Sequence, residues 1–350
     1  MGLTGNYRLV TRAYDMALPY LDASYDGFRI LQVSDVHNAI RELVGGMDVI
    51  LEAVRSACPH VIALTGDLMD RHKPDPDAAC ALVAGLSRIA PTYYVSGNHE
   101  RTPIGADGAP LPYRRVTAAT LDEMEARGGV DDLFVRHSTA IASAGARVLE
   151  SVAVALAPDG SELMCSEPEI ATKTACPRSQ TTGALPSSQV SSGAASHASD
   201  VGRLVLCGVR DPWPLVARDA RAWDNLLDDV TARARSLAGR RGATVLLSHR
   251  PELIASYECA GVDVALTGHA HGGQVRLPLI GALIAPNQGF FPRYDHGVYR
   301  RGATNLVVSS GVGTTGYRLR MLCPPELVLV RLRCGAPVDP AGVQNDSTQR

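Results

Sequence analysis

Short apolar runs that end abruptly in small and polar residues recur along the chain. The first begins at Phe28, and most of the runs stop at Ser or Gly followed by Asp, Asn or His. A short run rich in Val, Ile and Leu and bounded by turn residues is typical of a buried β-strand. The predicted strands lie in the segments 28–37, 60–70, 92–100, 243–252, 262–273 and 305–313.

Segments with helical character separate these runs. The predicted helices span residues 40–57, 77–89, 116–126 and 223–238. Two further apolar runs, at 147–156 and 203–213, each predict one more strand. Alternation of strands and helices indicates an α/β sheet with helices on its faces.

The segment 158–202 interrupts this pattern. Ser, Thr, Ala, Gly and Pro crowd together there and the apolar periodicity disappears, so we expect a mobile low-complexity insertion within a hairpin-like connection. The expected organisation is one domain over residues 28–335. An N-terminal arm precedes it at 1–27, where the stretch 14–25 fits either a short helix or an interfacial arm, and a flexible tail follows it at 336–350.

Composition narrows the class of protein. With 45% hydrophobic and 20% charged residues, the chain has the composition of an ordinary globular protein. Its 34 Lys and Arg against 36 Asp and Glu provide no overall basic field, so nucleic acid is not an expected partner. The eight cysteines form no CxxC pair and are interpreted as reduced thiols. Neither a signal segment nor a membrane-spanning run is recognisable, which predicts a cytoplasmic protein.

The candidate chemistry lies at the ends of the predicted strands. Open α/β sheets bind ligands outside the carboxyl ends of their strands, and five of the runs deliver a metal-capable side chain there. Carboxylate, imidazole and amide groups together suit Mn, Fe or Zn, whereas the absence of cysteine disfavours a closed structural zinc site. The candidate ligands are Asp35, His37, Asp67, Asn98, His249, His269 and His271.

The number of candidates predicts two metal ions. Seven ligands exceed the three or four that one catalytic zinc takes from a protein, and a shared carboxylate can bring two ions to within about 4 Å of each other. Asp67 is the candidate bridge. Gly66, Gly97 and Gly268 directly precede ligand positions, where a chain leaving a strand often needs a conformation that a Cβ would obstruct.

These residues match five ordered sequence motifs, so the chain resembles the calcineurin-like metallophosphoesterase superfamily. The motifs are DVH (35–37), GDLMD (66–70), GNHE (97–100), SH (248–249) and GHAHGG (268–273). The resemblance implies a four-layer αββα sandwich of two mixed sheets flanked by helices, with two divalent ions at the carboxyl ends of the strands. It also implies hydrolysis of a small phosphate ester by a hydroxide that bridges the ions.

The same resemblance divides the ligands between the two ions. One ion takes Asp35, His37, Asp67 and His271. The other takes Asp67, Asn98, His249 and His269. His99 becomes the catalytic residue that contacts the phosphate or protonates the leaving oxygen, with Asp70 or Glu100 orienting it.

The substrate stays open at this point. Phosphomonoesters, phosphodiesters and diphosphates all suit the motifs, and the segments after residue 272 resemble a bacterial single-domain branch in which some relatives cleave the diphosphate of UDP-diacylglucosamine lipid precursors. That branch leaves peripheral contact with the inner face of the membrane open. A non-catalytic metal-binding scaffold of the same fold is the alternative from another class. Phe290 and Phe291 are expected to pack in the core rather than to form a substrate rim.

Overall fold

The computed structural model describes residues 8–37, 39, 45–163, 202–315, 319–335 and 344–345. Within these ranges the chain folds around two β-sheets. None of the described helices has the length and apolar character needed to cross a membrane. The predicted insertion lies for the most part in 164–201, outside the described residues, as does most of the predicted C-terminal tail.

The first sheet has six strands in the spatial order β1–β16–β2–β3–β4–β5. It is mixed, because β16 runs antiparallel to β2 whereas the other neighbours are parallel. Its strands in chain order are β1 (Val10–Leu18), β2 (Arg29–Val33), β3 (Val61–Thr65), β4 (Thr92–Val95), β5 (Ala146–Val148) and β16 (Glu326–Cys334).

The second sheet has seven strands in the order β17–β14–β15–β9–β8–β7–β6. It is also mixed, since the β14–β15 and β6–β7 pairs are antiparallel. Its strands are β6 (Val152–Leu156), β7 (Leu204–Gly208), β8 (Ala243–Leu247), β9 (Val264–Thr267), β14 (Gly297–Arg301), β15 (Thr304–Val308) and β17 (Gln344–Asn345). Two small hairpins follow β9, formed by β10 (Arg276–Leu277) with β11 (Gly281–Ala282) and by β12 (Ile284–Ala285) with β13 (Gly289–Phe290).

Helices cover the outer faces of both sheets. The α-helices are α1 (Gly46–Ala57), α2 (Pro76–Ser87), α3 (Ala118–Ala126), α4 (Leu133–Ser143), α5 (Leu215–Arg218), α6 (Ala222–Ala238) and α7 (Ile254–Cys259). Apolar side chains of α1, α2 and α4 pack on the first sheet, and those of α6 and α7 pack on the second. A third buried cluster, which includes Ile30, Ala63, Leu206 and Val245, fills the space between the sheets. The predicted αββα sandwich is therefore confirmed.

The N-terminal segment differs from both forms that the sequence suggested for 14–25. Val10–Leu18 is a strand that pairs in parallel with β16 over its whole length. Leu18 and Leu21 are buried between the sheets, and the Tyr25 hydroxyl donates to the Leu156 carbonyl at 2.6 Å. Only pairing with the distant β16 completes this element, which is why local periodicity did not indicate a strand.

The predicted strand at 147–156 is two strands in different sheets. The chain leaves β5 in the first sheet and enters β6 in the second, turning at Ser151, which has a positive φ of 59°. β6 then pairs antiparallel with β7, and the predicted insertion lies between these two strands in the sequence. The polar pair Glu150 and Ser151 interrupts the apolar run at this turn, and the prediction of a single strand did not take account of it.

Candidate metal centre

The structure brings all eight predicted site residues into one buried cluster. They lie in the loops that follow β2, β3, β4, β8 and β9, where the carboxyl ends of parallel strands from both sheets meet. None of the eight side chains is more than 5% exposed. Buried carboxylates and imidazoles require partners, so their convergence itself indicates a bound cation.

One group within the cluster consists of Asp35, His37, Asp67 and His271, whose ligand atoms lie close together. The Nε2 atoms of His37 and His271 are 3.2 Å apart, and Nε2 of His271 lies 3.3 Å from Oδ1 of Asp35. Nε2 of His37 lies 3.7 Å from Oδ2 of Asp67. Two ring nitrogens facing each other beside two carboxylates are suited to a shared cation.

The second group consists of Asp67, His249 and His269, with Asn98 beside them. Nε2 of His249 lies 3.3 Å from Oδ2 of Asp67 and 3.2 Å from Oδ1 of Asn98. Asp67 is common to both groups. The two groups thus coincide with the two ligand sets that the family resemblance implies.

Each histidine ring of the second group also contacts a residue outside the cluster. Nδ1 of His249 lies 2.8 Å from the carbonyl oxygen of Thr65, to which it donates, so Nε2 faces the cluster. Nε2 of His269 lies 3.0 Å from the side-chain amide of Asn287. Donation of the second ring N–H to a carbonyl, as in His249, is typical of metal-binding histidines.

The charges of Asp67 and His249 depend on each other. Burial alone would raise the pKa of Asp67, but His249, His99 and His37 outweigh it and hold the pKa well below its usual range. Burial opposes the charged form of His249, yet the Asp67 carboxylate raises its pKa to about 10. A divalent cation between these groups would take the place of that proton.

Two other rings of the cluster, those of His269 and His271, favour the neutral form. Burial holds the pKa of His269 and that of His271 well below the usual value, and neighbouring cationic groups add to the effect. A neutral imidazole keeps the lone pair that a metal ion needs. These two rings are therefore in the state required of ligands at neutral pH.

The loop backbone is held in uncommon conformations around the cluster. Positive φ angles between 45° and 65° occur at five predicted ligands, namely Asp35, His37, Asp67, His269 and His271. Non-glycine residues seldom adopt this region, and such residues concentrate at functional sites. A Cβ at Gly97 would collide with Oδ1 of Asp67, and one at Gly268 would collide with the Ser34 and Asp35 side chains.

Glu100 fastens two of these loops together. Its buried carboxylate accepts the backbone N–H groups of Asp67 at 3.0 Å, Met69 at 2.9 Å and Gly97 at 2.9 Å. Burial raises the pKa of this carboxyl to about 7, with the Asp67 charge adding to the effect. Glu100 therefore positions the ligand loops and does not orient His99, contrary to one alternative suggested by the sequence.

His99 is oriented by the backbone. Its Nδ1 accepts the N–H of Arg71 at 3.2 Å, whereas the nearest Asp70 oxygen is 3.8 Å away. Asp70 instead accepts the N–H groups of His72 and Lys73 through Oδ1. Burial lowers the pKa of His99 to about 3, so the neutral ring carries its hydrogen on Nε2, 4.0 Å from Oδ2 of Asp67.

Sequence reasoning missed an aromatic group beside the cluster. The Tyr113 hydroxyl accepts a hydrogen bond from Nδ2 of Asn98 at 2.6 Å, which turns the amide oxygen of Asn98 toward His249. The Arg71 guanidinium lies 4.8 Å from the centre of the Tyr113 ring, and Trp213 meets the same ring edge-on at 4.6 Å. Tyr113 follows the GNHE motif by more than ten residues, so no local spacing indicated it.

Arg250 lies directly after the predicted ligand His249 and forms a buried ion pair. Its guanidinium donates to both carboxylate oxygens of Asp211, at 2.8 and 3.0 Å, and both side chains are largely buried. Asp211 follows β7 and Arg250 follows β8, so the pair joins two loops of the second sheet.

Comparison with known proteins agrees with the family resemblance that the five motifs indicate. The family model for calcineurin-like phosphoesterases matches residues 28–143, which contain the first three motifs. The resemblance to this family is thereby confirmed.

Several bacterial proteins are similar over part of the chain. The metallophosphoesterase YkuE of Bacillus subtilis is 37% identical over 90 residues, which are 26% of this chain and 31% of YkuE. A metallophosphoesterase of Helicobacter pylori strain 26695 is 34% identical over 134 residues, or 38% of this chain and 33% of the relative. Phosphodiesterase YaeI of Escherichia coli K12 is 35% identical over 88 residues, or 25% of this chain and 32% of YaeI. The chain thus matches about a third of the length of these relatives.

A dimetal phosphatase from Danio rerio is among the solved structures similar to this chain. The alignment covers 82% of this chain and 88% of that one, with a TM-score of 0.34 and 13% identity.

Proposed function

We propose that the chain is a dinuclear metal-dependent phosphoester hydrolase, with phosphodiesters as its substrate class. The observation that carries the proposal is the pair of buried ligand groups that share Asp67. The family match and the printed name of one relative, phosphodiesterase YaeI, support the same reaction class.

The residues present fit two divalent ions. Asp35, His37, Asp67 and His271 would hold one ion. Asp67, Asn98, His249 and His269 would hold the other. Oxygen and imidazole donors suit Mn, Fe or Zn, and we propose Mn for the assays below. When bound, the ions would supply a hydroxide nucleophile by lowering the pKa of water and would neutralise the phosphoryl oxygens.

His99 acts on the substrate from the side of the cluster. Its Nε2–H is presented by the bond between Nδ1 and the Arg71 backbone, so it can donate to an oxygen of the phosphate or of the leaving group. A hydrogen bond from the neutral ring, without transfer of the proton, requires no change of charge in the buried pocket. Arg71, whose guanidinium lies over Tyr113, adds a positive charge near this position.

The non-catalytic scaffold is the weaker alternative. A protein that had kept only the fold would have no need for a full ligand set, yet all seven ligand positions and His99 are filled and buried together. Nor would it need positive φ at five ligands, which is a conformation that costs free energy.

The test is hydrolysis of bis-p-nitrophenyl phosphate by purified protein that has been freed of metal with a chelator and reloaded with Mn. Wild type should turn over only after reloading, and Asp67→Ala should lose both turnover and bound Mn, measured by elemental analysis. Asp48→Ala, on the outer helix α1, is the matched control and should behave as wild type. Turnover by Asp67→Ala would refute the proposal. Two bound Mn ions without turnover of bis-p-nitrophenyl phosphate or of any other phosphodiester would also refute it.

A further inference from the structure

Large apolar side chains stand exposed in one region of the molecule. More than half of the exposed large apolar residues in the described parts of the chain lie between Leu279 and Leu322. We name this surface the apolar rim and define it by six residues, Leu279, Ile280, Ile284, Phe290, Phe291 and Leu322. Phe290 and Phe291 are 76% and 65% exposed, so the expectation that they pack in the core was wrong.

Two hairpins and a neighbouring loop build the rim. Leu279 and Ile280 form the tip of the β10–β11 hairpin, and Ile284 pairs with Phe290 in the β12–β13 hairpin. The backbone N–H of Leu283 donates to the Val275 carbonyl and that of Phe291 donates to the Leu283 carbonyl, which ties the two hairpins together. Met321, the neighbour of Leu322, is bridged to Val275 beside the first hairpin. The exposed side chains therefore belong to one continuous structure.

The rim adjoins the metal centre. Asn287, at the tip of the β12–β13 hairpin, contacts Nε2 of His269 at 3.0 Å. Phe290 is three positions after Asn287, a span of at most about 11 Å even for an extended chain. The first hairpin begins five positions after His271. A surface bound by the rim would thus lie within reach of the site.

Backbone conformation also points to a functional surface. Leu279, Phe291 and Leu322 have φ angles of 68°, 55° and 54°. Bulky residues seldom adopt this region, and Gly or Asn would satisfy it with less strain. These three positions combine an unfavourable backbone with an apolar side chain in solvent, which stability alone does not explain.

The charge of the region suits an anionic surface. Residues 272–294 contain no Asp or Glu, and residues 319–323 contain none either. Arg293 is exposed, whereas Arg320 is buried and Arg276 is ion-paired. Asp295, the nearest following carboxylate, is buried and paired with Arg276. No exposed carboxylate of these segments would repel lipid phosphates.

We propose that the apolar rim docks on the surface of an anionic lipid bilayer and holds the metal centre beside it. Leu279, at a hairpin tip, and Phe290 are among the most exposed apolar side chains of the described residues, and such side chains can enter the boundary between head groups and acyl chains. Their strands of two residues offer too little free edge for a partner strand to pair with. This inference goes beyond the proposed hydrolase, because docking is measured without turnover.

The experiment is flotation of the full chain with vesicles of phosphatidylcholine and phosphatidylglycerol in equal parts. The test variant is Leu279→Asn/Phe290→Ser/Phe291→Asn, in which Asn suits the positive φ of its two positions and so preserves the fold. The matched control is Tyr20→Ser/Val135→Ser/Val216→Ser, which removes three exposed apolar side chains from other surfaces. Bis-p-nitrophenyl phosphate turnover and thermal unfolding verify that every variant is folded.

Wild type and the control should float with the vesicles, whereas the bound fraction of the test variant should fall about tenfold or more. Absence of wild-type flotation, or equal flotation of the test variant, would overturn the proposal. Size-exclusion chromatography provides the remaining outcome, since a dimer of wild type that the test variant lacks would assign the rim to a second copy of the chain. Loss of turnover in all proteins with flotation intact would refute the hydrolase and leave the docking surface standing.

Discussion

His99 is held by one backbone hydrogen bond and contributes no atom to either ligand group. His99→Ala should therefore retain both Mn ions while turnover of bis-p-nitrophenyl phosphate falls by roughly 10²–10³-fold, the usual cost of removing one preorganised hydrogen-bond donor. Steady-state kinetics and elemental analysis of the same sample measure the two effects. His137→Ala, on the outer helix α4, should leave both unchanged. Loss of metal from His99→Ala would instead make this ring a ligand.

Tyr113 acts through Asn98. Tyr113→Phe keeps the ring beneath Arg71 but removes the acceptor of the Asn98 amide, which is then free to turn its oxygen away from His249. We expect the Mn concentration needed for half-maximal turnover to rise by about 10–100-fold, as is usual when the partner of a metal ligand is lost. Tyr20→Phe is the matched control on an exposed tyrosine. An unchanged Mn dependence would contradict a positioning role for Tyr113.

The sequence predicted residues at strand ends better than residues in loops. Asp35, Asp67 and Asn98 each follow a recognisable apolar run, so the topology of a parallel sheet was enough to gather them. Tyr113 and Asn287 reach the site only through the path of a loop, which leaves no periodic signal. The exposure of Phe290 was missed because an aromatic pair is normally buried and nothing local indicates that its hairpin has no cover.

Among the structural elements, the loops after β3 and β4 depend on Glu100. Glu100→Gln leaves one acceptor oxygen for three backbone donors, so a buried N–H loses its partner. The free energy of unfolding of the metal-free protein should fall by about 1–3 kcal/mol, measured by urea denaturation. Glu52→Gln, on the exposed face of α1, should change it by less than about 0.5 kcal/mol. Equal stability of the two variants would mean that the three bonds are dispensable.

The elements with strong local patterns matched the structure closely. The helix predicted at 223–238 is observed as Ala222–Ala238, and the one predicted at 77–89 as Pro76–Ser87. β1 escaped notice because its partner, β16, lies more than 300 residues away in the chain. The change of sheet at Ser151 was missed for another reason, because the polar pair Glu150 and Ser151 between two apolar runs was included in one strand.

At the scale of the molecule, the candidate ligands come from both sheets. Asp35, Asp67 and Asn98 follow strands of the first sheet, and His249 and His269 follow strands of the second. Bound ions would bridge the two halves of the sandwich and bind only the folded state. Mn at a hundredfold excess over its Kd should add about 2.7 kcal/mol to the free energy of unfolding, and chelation should lower the thermal midpoint accordingly. Asp67→Ala should melt at the same temperature with or without Mn; a midpoint that still rises would place the stabilising ion elsewhere.

The left-handed backbone at five ligand positions has a kinetic consequence. Hydrogen bonds to Glu100 and the close packing around Gly97 and Gly268 hold those loops in this shape. We therefore expect ion capture to exchange water for side-chain atoms without rearrangement of the chain. Reloading after chelation should accordingly proceed at a rate proportional to metal concentration, with no plateau set by a slow conformational step. A preorganised site of this kind would bind whichever suitable divalent ion is abundant around it. The concentrations of the available ions would then decide which metal the protein carries.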